Sequence, residues 1–358
     1  ISHSNDLFWF FSNDRASVGK KICLMRLSAI GDVCHAVAMV TRIQSQWRDA
    51  EITWVIGKVE YQLVKLMPNV RFIIFDKSQG KAAVESLKAA VAGETFDALL
   101  MMQVALRANM ASRVIKAKQR IGFDWSRSKE LHWLFANKRV AATKHAHVLE
   151  GFMDFADALG VPKSDTLTWN IPVTPEDARW AEEQAKALGK YVVISPAASK
   201  AERNWLPQRY ASIADYIQES GVNVILCGGP GELDRKTADA IKAEVKHPVK
   251  DFTGKTSLHQ LLMLLKHAHL VIAPDTGPAH MATTVGTPVI GLYAHSNPRR
   301  TGPYHNLERV VSVYDECIEV QKGKPWKALP WGTRAKGSEL MEKISVEMVK
   351  QKVEPFIA

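Results

Sequence analysis

The sequence predicts an α/β fold of two facing Rossmann-like units, each a mainly parallel sheet with helices on both faces. Three observations predict it. Short apolar runs of strand length alternate with amphipathic runs of helix length, the pattern of successive βαβ units. The alternation occurs twice, on either side of a polar, Pro-containing connector from Thr166 to Ala178. A chain of 358 residues with 46% apolar content also favours two domains over one.

Taken in order, KKICLMRLS from Lys20 reads as a buried strand, DVCHAVAMVTRIQSQW as the helix after it, and EITWVIG as the next strand. RFIIFD and FDALLMMQ repeat the short apolar pattern, whereas RIGFDWSRSKELHWLF has no regular period. After the connector, PEDARWAEEQAKALG is a helix, and YVVISPA opens a second series. It continues with the helix LPQRYASIADYIQESG and the strands VNVILCGGP, HLVIAPD and TPVIGLY. The tail GSELMEKISVEMVKQKVEPF is helical, and composition does not assign it to a unit. The expected division is a leader at 1–19, a first unit at 20–170, a second at 171–334 and a C-terminal helix at 335–358. There is no short-period repeat or low-complexity tract.

Lys and Arg number 47 against 37 acids, a net charge of +10 that suits an anionic partner: nucleic acid, phosphorylated metabolite or membrane surface. Charge alone does not choose among them. Cys23, Cys34, Cys227 and Cys317 have no paired metal spacing and are too few for a disulfide scaffold, which fits a reducing compartment. No apolar run reaches 18 residues and no cleavable signal is apparent, so a cytoplasmic protein that visits a membrane is expected. Within the leader, LFWFF reads either as a membrane-touching patch or as ordinary packing.

Ligands of such folds bind beyond the carboxyl ends of the strands, and four loops fall there. In SAIGDVCH, small Ser28, Ala29 and Gly31 allow close backbone approach to a ligand, and Asp32 stands at a helix start. Asp32 reads either as an N-cap or as a carboxylate facing the cleft, where it orients or deprotonates a substrate hydroxyl; His35 follows one turn later, as a helper or an ordinary helix residue. In SPAASKAERNWLPQRY, Arg203 has the fork geometry for a diphosphate, with Ser199 or Lys200 assisting, although solvated charges give the same string. Trp205 reads as a packing anchor for that loop. In CGGPGELD the paired glycines mark a tight strand-to-helix turn, and Glu232 is either a ribose ligand or a helix-start acid. Neither GxGxxG nor the Walker pattern matches.

The fourth loop, APDTGPAHMATTVGTPVIGLY, sets Asp275, Thr276, Gly277 and His280 in a compact polar turn directly after a strand. Backbone N–H groups and the Thr276 hydroxyl at that helix start suit a diphosphate, and Asp275 either holds the turn or binds a sugar hydroxyl. No GxSxG, HExxH or EF-hand pattern accompanies them.

Read together, RLSAIGDVCHAVAMV, RIGFDWSRSKELHWLFANKRV, RNW and PDTGPAHMATTVGTPVIGLY resemble the ADP-heptose:lipopolysaccharide heptosyltransferases, inverting glycosyltransferases with a GT-B fold. The resemblance runs from about Lys20 to the carboxyl end and is nearest to the heptosyltransferase I type. It implies transfer of L-glycero-D-manno-heptose from ADP-L-glycero-β-D-manno-heptose to Kdo of Kdo-lipid A in the lipopolysaccharide inner core. Asp32 matches the general base, and Arg203 the basic residue two places before the Trp, a Lys in some members. Asp275, Thr276, Gly277 and His280 match the donor motif DTGxxH, with Ser199, Lys200 and Glu232 on the same side. On the acceptor side it implies Lys58, Arg107, Arg113, Lys116, Lys118, Arg120 and Arg127, facing Kdo carboxylates and lipid A phosphates. No cofactor or metal is implied, because Arg203 and backbone donors stabilise the leaving group. The C-terminal helix is expected to brace the first unit. The enzyme is expected to be a monomer at the cytoplasmic face of the inner membrane, with no nucleic-acid partner. The alternatives are a related glycosyltransferase acting on another glycan or on protein, a nucleic-acid-binding module, and a non-catalytic envelope interaction protein.

Overall fold

A computed structural model describes residues 19–358; the leader, LFWFF included, lies outside the described residues. The first unit runs β1 (Lys21–Met25), α1 (Ile30–Gln46), β2 (Glu51–Ile56), α2 (Lys58–Val64), β3 (Val70–Ile74), α3 (Lys81–Ala90), β4 (Phe96–Met101), α4 (Leu106–Ala111), β5 (Ala117–Gly122), β6 (Lys138–Arg139) and α5 (Val148–Leu159). The second runs α6 (Pro175–Leu188), β7 (Tyr191–Ile194), α7 (Pro207–Glu219), β8 (Asn223–Leu226), α8 (Glu232–Glu244), β9 (Lys250–Asp251), α9 (Leu258–His267), β10 (Leu270–Pro274), α10 (Gly277–Thr284), β11 (Val289–Tyr293), α11 (Pro298–Thr301), β12 (Val311–Ser312), α12 (Tyr314–Lys322) and α13 (Val346–Ile357).

Each unit holds one six-stranded parallel sheet, ordered β3-β2-β1-β4-β5-β6 and β12-β11-β10-β7-β8-β9. Alternation along the strands divides the core. Ile22 and Leu24 of β1 face the layer between the units, while Cys23 and Met25 face a separate cluster with Leu87 and Leu99. The central layer is continuous across both units, joining Leu24, Trp54 and Phe155 to Tyr191, Leu264 and Ala279. Local chemistry sets the helix ends. Thr174 Oγ1 accepts from Asp177 N at the start of α6, with Pro175 at its first position, and Ser257 and Gln260 form a capping box on α9. Gly160, at φ +83°, ends α5 in the left-handed conformation.

The structure corrects one expectation: α13 packs on α7 and β12 of the second unit. Val349 and Val353, one turn apart, are fully buried in the cluster of Val192, Ile194 and Ile213. Burial of each contributes about 1.5–3 kcal/mol, so the apolar stripe dictates the partner. Contact with the first unit is made by other groups. Trp331 Nε1 donates to Ala146 O (2.7 Å), Tyr304 Oη to Glu150 Oε1 (3.3 Å), and His259 Nε2 lies 2.8 Å from Leu63 O. No described helix is long and apolar enough to cross a membrane.

Candidate active site

Parallel pairing puts every strand-to-helix loop of a sheet on its carboxyl edge, and the two carboxyl edges meet at the starts of α1 and α10. A β-carbon on Gly31 would lie 2.6 Å from His280 Cδ2, and one on Gly277 would lie 3.0 Å from Ile30 Cγ2. The contact closes only because both positions are glycine. The loops after β7 and β10 leave adjacent strands at the point where the second sheet's order reverses, where α/β sheets open a crevice.

On the first unit's side, Asp32 is the third residue of α1, one-third exposed. The N-cap is Ala29, so the carboxylate does not cap the helix. Arg26 Nη2 donates instead to Asp32 Oδ2 at 2.5 Å, leaving Oδ1 without a partner among the described residues. Arg26 is itself fixed. Its Nη1 donates to Met102 O (2.7 Å), and its guanidinium carbon lies 5.2 Å from the centre of the Phe152 ring. The preceding loop is braced by Leu27 N donating to Gln103 Oε1 (3.1 Å) and by Lys77 Nζ donating to Ser28 Oγ (3.1 Å).

On the second unit's side, Thr276 is the N-cap of α10, but its buried Oγ1 has no partner among the described residues. A buried hydroxyl and first-turn N–H groups without acceptors suit an anion. Asp275 is held between Tyr293 Oη, 3.4 Å away, and His280 Nε2, 3.7 Å away. Burial alone would push its carboxyl up, but His280, Arg203 and Arg334 outweigh that and hold it below the usual carboxylate range. Burial and the neighbouring Arg334 lower the Arg300 pKa, while Asp32 and Asp275 act in the opposite direction. Arg203, Arg300 and Arg334 thus converge on the cleft. None makes a side-chain hydrogen bond or ion pair among the described residues.

A buried histidine cluster lies behind the seam. The His35 ring centre is 4.8 Å from that of His280 and 5.4 Å from that of His147. His147 Nδ1 accepts from Leu149 N and Nε2 donates to Gly302 O at 2.8 Å, which fixes the neutral tautomer. Burial holds the His35 pKa well below the usual imidazole value, helped by His280, His147 and Arg26. His35 is therefore a neutral packing group, not a proton carrier at neutral pH.

The other expected residues separate by place. Ser199 and Lys200 are exposed on the loop after β7, while Trp205 is buried and donates to Ile344 O at 2.8 Å, tying that loop to the tail. Glu232 is exposed at the start of α8 and pairs with Lys236 at 2.9 Å. The acid that holds the glycine turn is Asp234, whose Oδ1 accepts from Gly229 N at 2.9 Å. Lys58 and Arg107 are exposed on the Asp32 edge, after β2 and β4. Lys116 and Lys118 lie at the opposite edge, where Lys118 pairs with Asp97 at 2.7 Å beside the start of β4. Arg113 is exposed before β5. Two arginines are committed internally. Arg120 donates to Phe135 O, Ile115 O and Ser112, and Arg127 to Asp124, Asp154 and Ala141 O.

Reading the sequence missed Arg26, Lys77, Arg300 and Arg334. Arg26 ends the apolar run of the first strand and reads as part of it, and Arg300 follows TPVIGLY in NPRRTG, a loop after a strand like the other four. Arg334 has no local signal.

Residues 84–343 match the profile of glycosyltransferase family 9 (heptosyltransferase). The chain is 45% identical over 330 residues to the lipopolysaccharide core heptosyltransferase OpsX of Haemophilus influenzae, spanning 92% of this chain and 95% of that one. It is 23% identical to lipopolysaccharide heptosyltransferase 1 of Escherichia coli strain K12, over 83% of this chain and 95% of that one. Among solved structures, E. coli heptosyltransferase WaaC with ADP superposes with a TM-score of 0.73 at 20% identity, covering 94% of this chain and 99% of that one. A glycosyltransferase family 9 protein of Veillonella parvula gives 0.77 at 22% identity, covering 94% and 97%. The architecture is the GT-B fold.

Proposed function

The chain belongs to glycosyltransferase family 9 and is a heptosyltransferase of the lipopolysaccharide core; we propose that its donor is ADP-L-glycero-β-D-manno-heptose, its acceptor a Kdo hydroxyl of Kdo-lipid A, and its course a single displacement with inversion. One observation supports this reading: a held carboxylate, Asp32, lies across one seam from the buried Thr276 hydroxyl and from three arginines that make no side-chain hydrogen bond or ion pair among the described residues.

In this course Asp32 Oδ1 takes the proton of the acceptor hydroxyl as its oxygen attacks the heptose anomeric carbon. The bond from that carbon to the β-phosphate oxygen breaks on the opposite face, and ADP leaves with the electron pair. Inversion turns the β donor into an α product. Arg203, Arg300, Arg334 and the first N–H groups of α10 take up the charge on the leaving diphosphate, the task a metal ion performs in other transferases, so this course needs no metal ion. Asp275 and His280 hold the α10 turn, while Ser199, Lys200 and Glu232 border the donor. Lys58, Arg107 and Lys77 stand on the Asp32 edge where Kdo carboxylates and lipid A phosphates arrive. We assign acceptor binding to 20–170 and donor binding to 171–334, with the enzyme acting as a monomer at the cytoplasmic face of the inner membrane.

The test combines purified protein, ADP-heptose and Kdo-lipid A, reading ADP release and glycolipid mass. Asp32→Asn is expected to lower kcat by about 10²–10⁴-fold with ADP-heptose binding retained. Unchanged transfer overturns the assignment of Asp32.

A further inference from the structure

We propose that the face built by α4 and residues 123–139 seats the protein on an anionic lipid bilayer, with its indole and aliphatic side chains at headgroup depth. The inference rests on the membrane contact in the proposed function and says which surface makes it.

Eleven large hydrophobic side chains are exposed in the described chain, and six of them, Leu106, Met110, Trp125, Leu131, Trp133 and Leu134, fall within 29 residues of sequence. They are gathered in space as well. The Trp125 and Trp133 ring centres lie 5.6 Å apart, and the Glu130 carboxylate accepts from Leu106 N, locking the segment to α4. The support beneath is rigid: buried His132 lies 2.8 Å from Asn109 Oδ1 through Nδ1 and accepts from Phe123 N through Nε2. Trp125 is 64% exposed and Leu134 57%, so these side chains are held out by an ordered framework. A contiguous apolar patch on an ordered surface marks an interaction site.

Charge identifies the occupant. Of the nine Lys or Arg residues from Ala105 to Arg139, Lys116 and Lys118 lie at the opposite edge and Arg120, Arg127 and Lys138 are bonded internally, which leaves Arg107, Arg113, Lys129 and Arg139 for this face; its two acids are both engaged, Asp124 by Arg127 and Glu130 by Leu106 N. Arg113 and Lys129 have no acidic partner among the described residues, and the Arg139 guanidinium lies 4.1 Å from the Trp125 ring centre. Indole rings rimmed by cations match an anionic headgroup layer, where tryptophan settles between water and acyl chain and basic groups gather acidic lipids. Orientation follows from the topology. α4 begins after β4 and the segment begins after β5, so Leu106 and Trp125 lie at the carboxyl edge that carries Asp32, and the face runs from there to Leu134 beside Arg113. A protein seated on this face presents its cleft near the plane where an acceptor glycolipid stands.

The experiment is flotation of the full chain with vesicles of phosphatidylcholine, with and without about one-third phosphatidylglycerol. Wild type is expected to bind the anionic vesicles in preference to the neutral ones, and less at high salt. Trp125→Ser with Leu134→Ser is expected to lower binding by about tenfold or more with an unchanged melting temperature, since both side chains are mostly solvent-exposed. Lys129→Glu, a lone surface charge, is expected to weaken binding to the anionic vesicles alone. Transfer to Kdo-lipid A embedded in vesicles falls in the double variant, while transfer to a deacylated, water-soluble acceptor does not. Equal vesicle binding by wild type and double variant overturns the proposal. So does a wild-type dimer that the double variant converts to monomer with vesicle binding unchanged, which assigns the face to a second copy. Loss of vesicle binding in the variant, with no heptosyl transfer by wild type, supports this face and sinks the proposed reaction instead.

Discussion

Asp32 gives one carboxylate oxygen to Arg26 and keeps the other for the cleft, so the orientation of the proposed base depends on a residue that touches no substrate in the proposed course. Arg26→Ala is expected to lower kcat by about 10–100-fold while the KM for ADP-heptose holds, because a freed carboxylate loses its aim and not its donor contacts. Arg26→Lys recovers part of the loss by keeping the charge, but it cannot donate to Asp32 and Met102 O as the guanidinium fork does. Steady-state kinetics on the three proteins decides it. Arg300→Ala has the opposite signature. Loss of a charge-assisted contact to the diphosphate is expected to weaken ADP binding by about 10–100-fold in calorimetry, with the acceptor KM unchanged. Asp32 and the Asp275–His280 turn were legible in the sequence because each follows an apolar strand with small residues between. Arg334 was not, because its relevance comes from a fold-back that brings it beside Arg300 without any local pattern.

At the scale of elements, the seam between α1 and α10 depends on two missing side chains. Gly31→Ala puts a methyl 2.6 Å from the His280 ring, which is buried and has little room to retreat. The expected cost is about 1–3 kcal/mol in denaturant unfolding, together with reduced transfer as the two units are pushed apart. Wild-type stability in that variant would mean that the seam opens freely. The alternating strands and helices were legible because period and length separate them. The two-residue strands β6, β9 and β12 were not, since a pair of residues carries no periodicity. The destination of α13 was hidden for a different reason: an apolar stripe announces that it will be covered, but not by what.

For the molecule as a whole, two units could be read from the connector and the doubled alternation, but not the single apolar layer that joins them. That layer encloses titratable groups. Burial pushes the His132 and His147 pKa values down to about 4 from the ordinary 6.5, and His35 is also lowered. Between those values the unfolded chain binds protons that the native state refuses, so stability rises with pH across the window and is lost as pH falls from 6.5 toward 4. Each fully neutral histidine contributes at most about 1.4 kcal/mol per pH unit. The melting temperature is expected to fall between pH 7 and pH 5, and His132→Gln is expected to flatten that dependence. A flat wild-type profile would falsify the neutral assignment. The joining of α1 to α10 has one more consequence. Both helices bring their amino ends to the same seam, so two like poles of the helix dipoles are pressed together. Asp32 and Asp275 offset part of that repulsion. In the proposed course a donor diphosphate bound between the poles offsets more, so nucleotide sugar is expected to tighten this seam and release of ADP to loosen it.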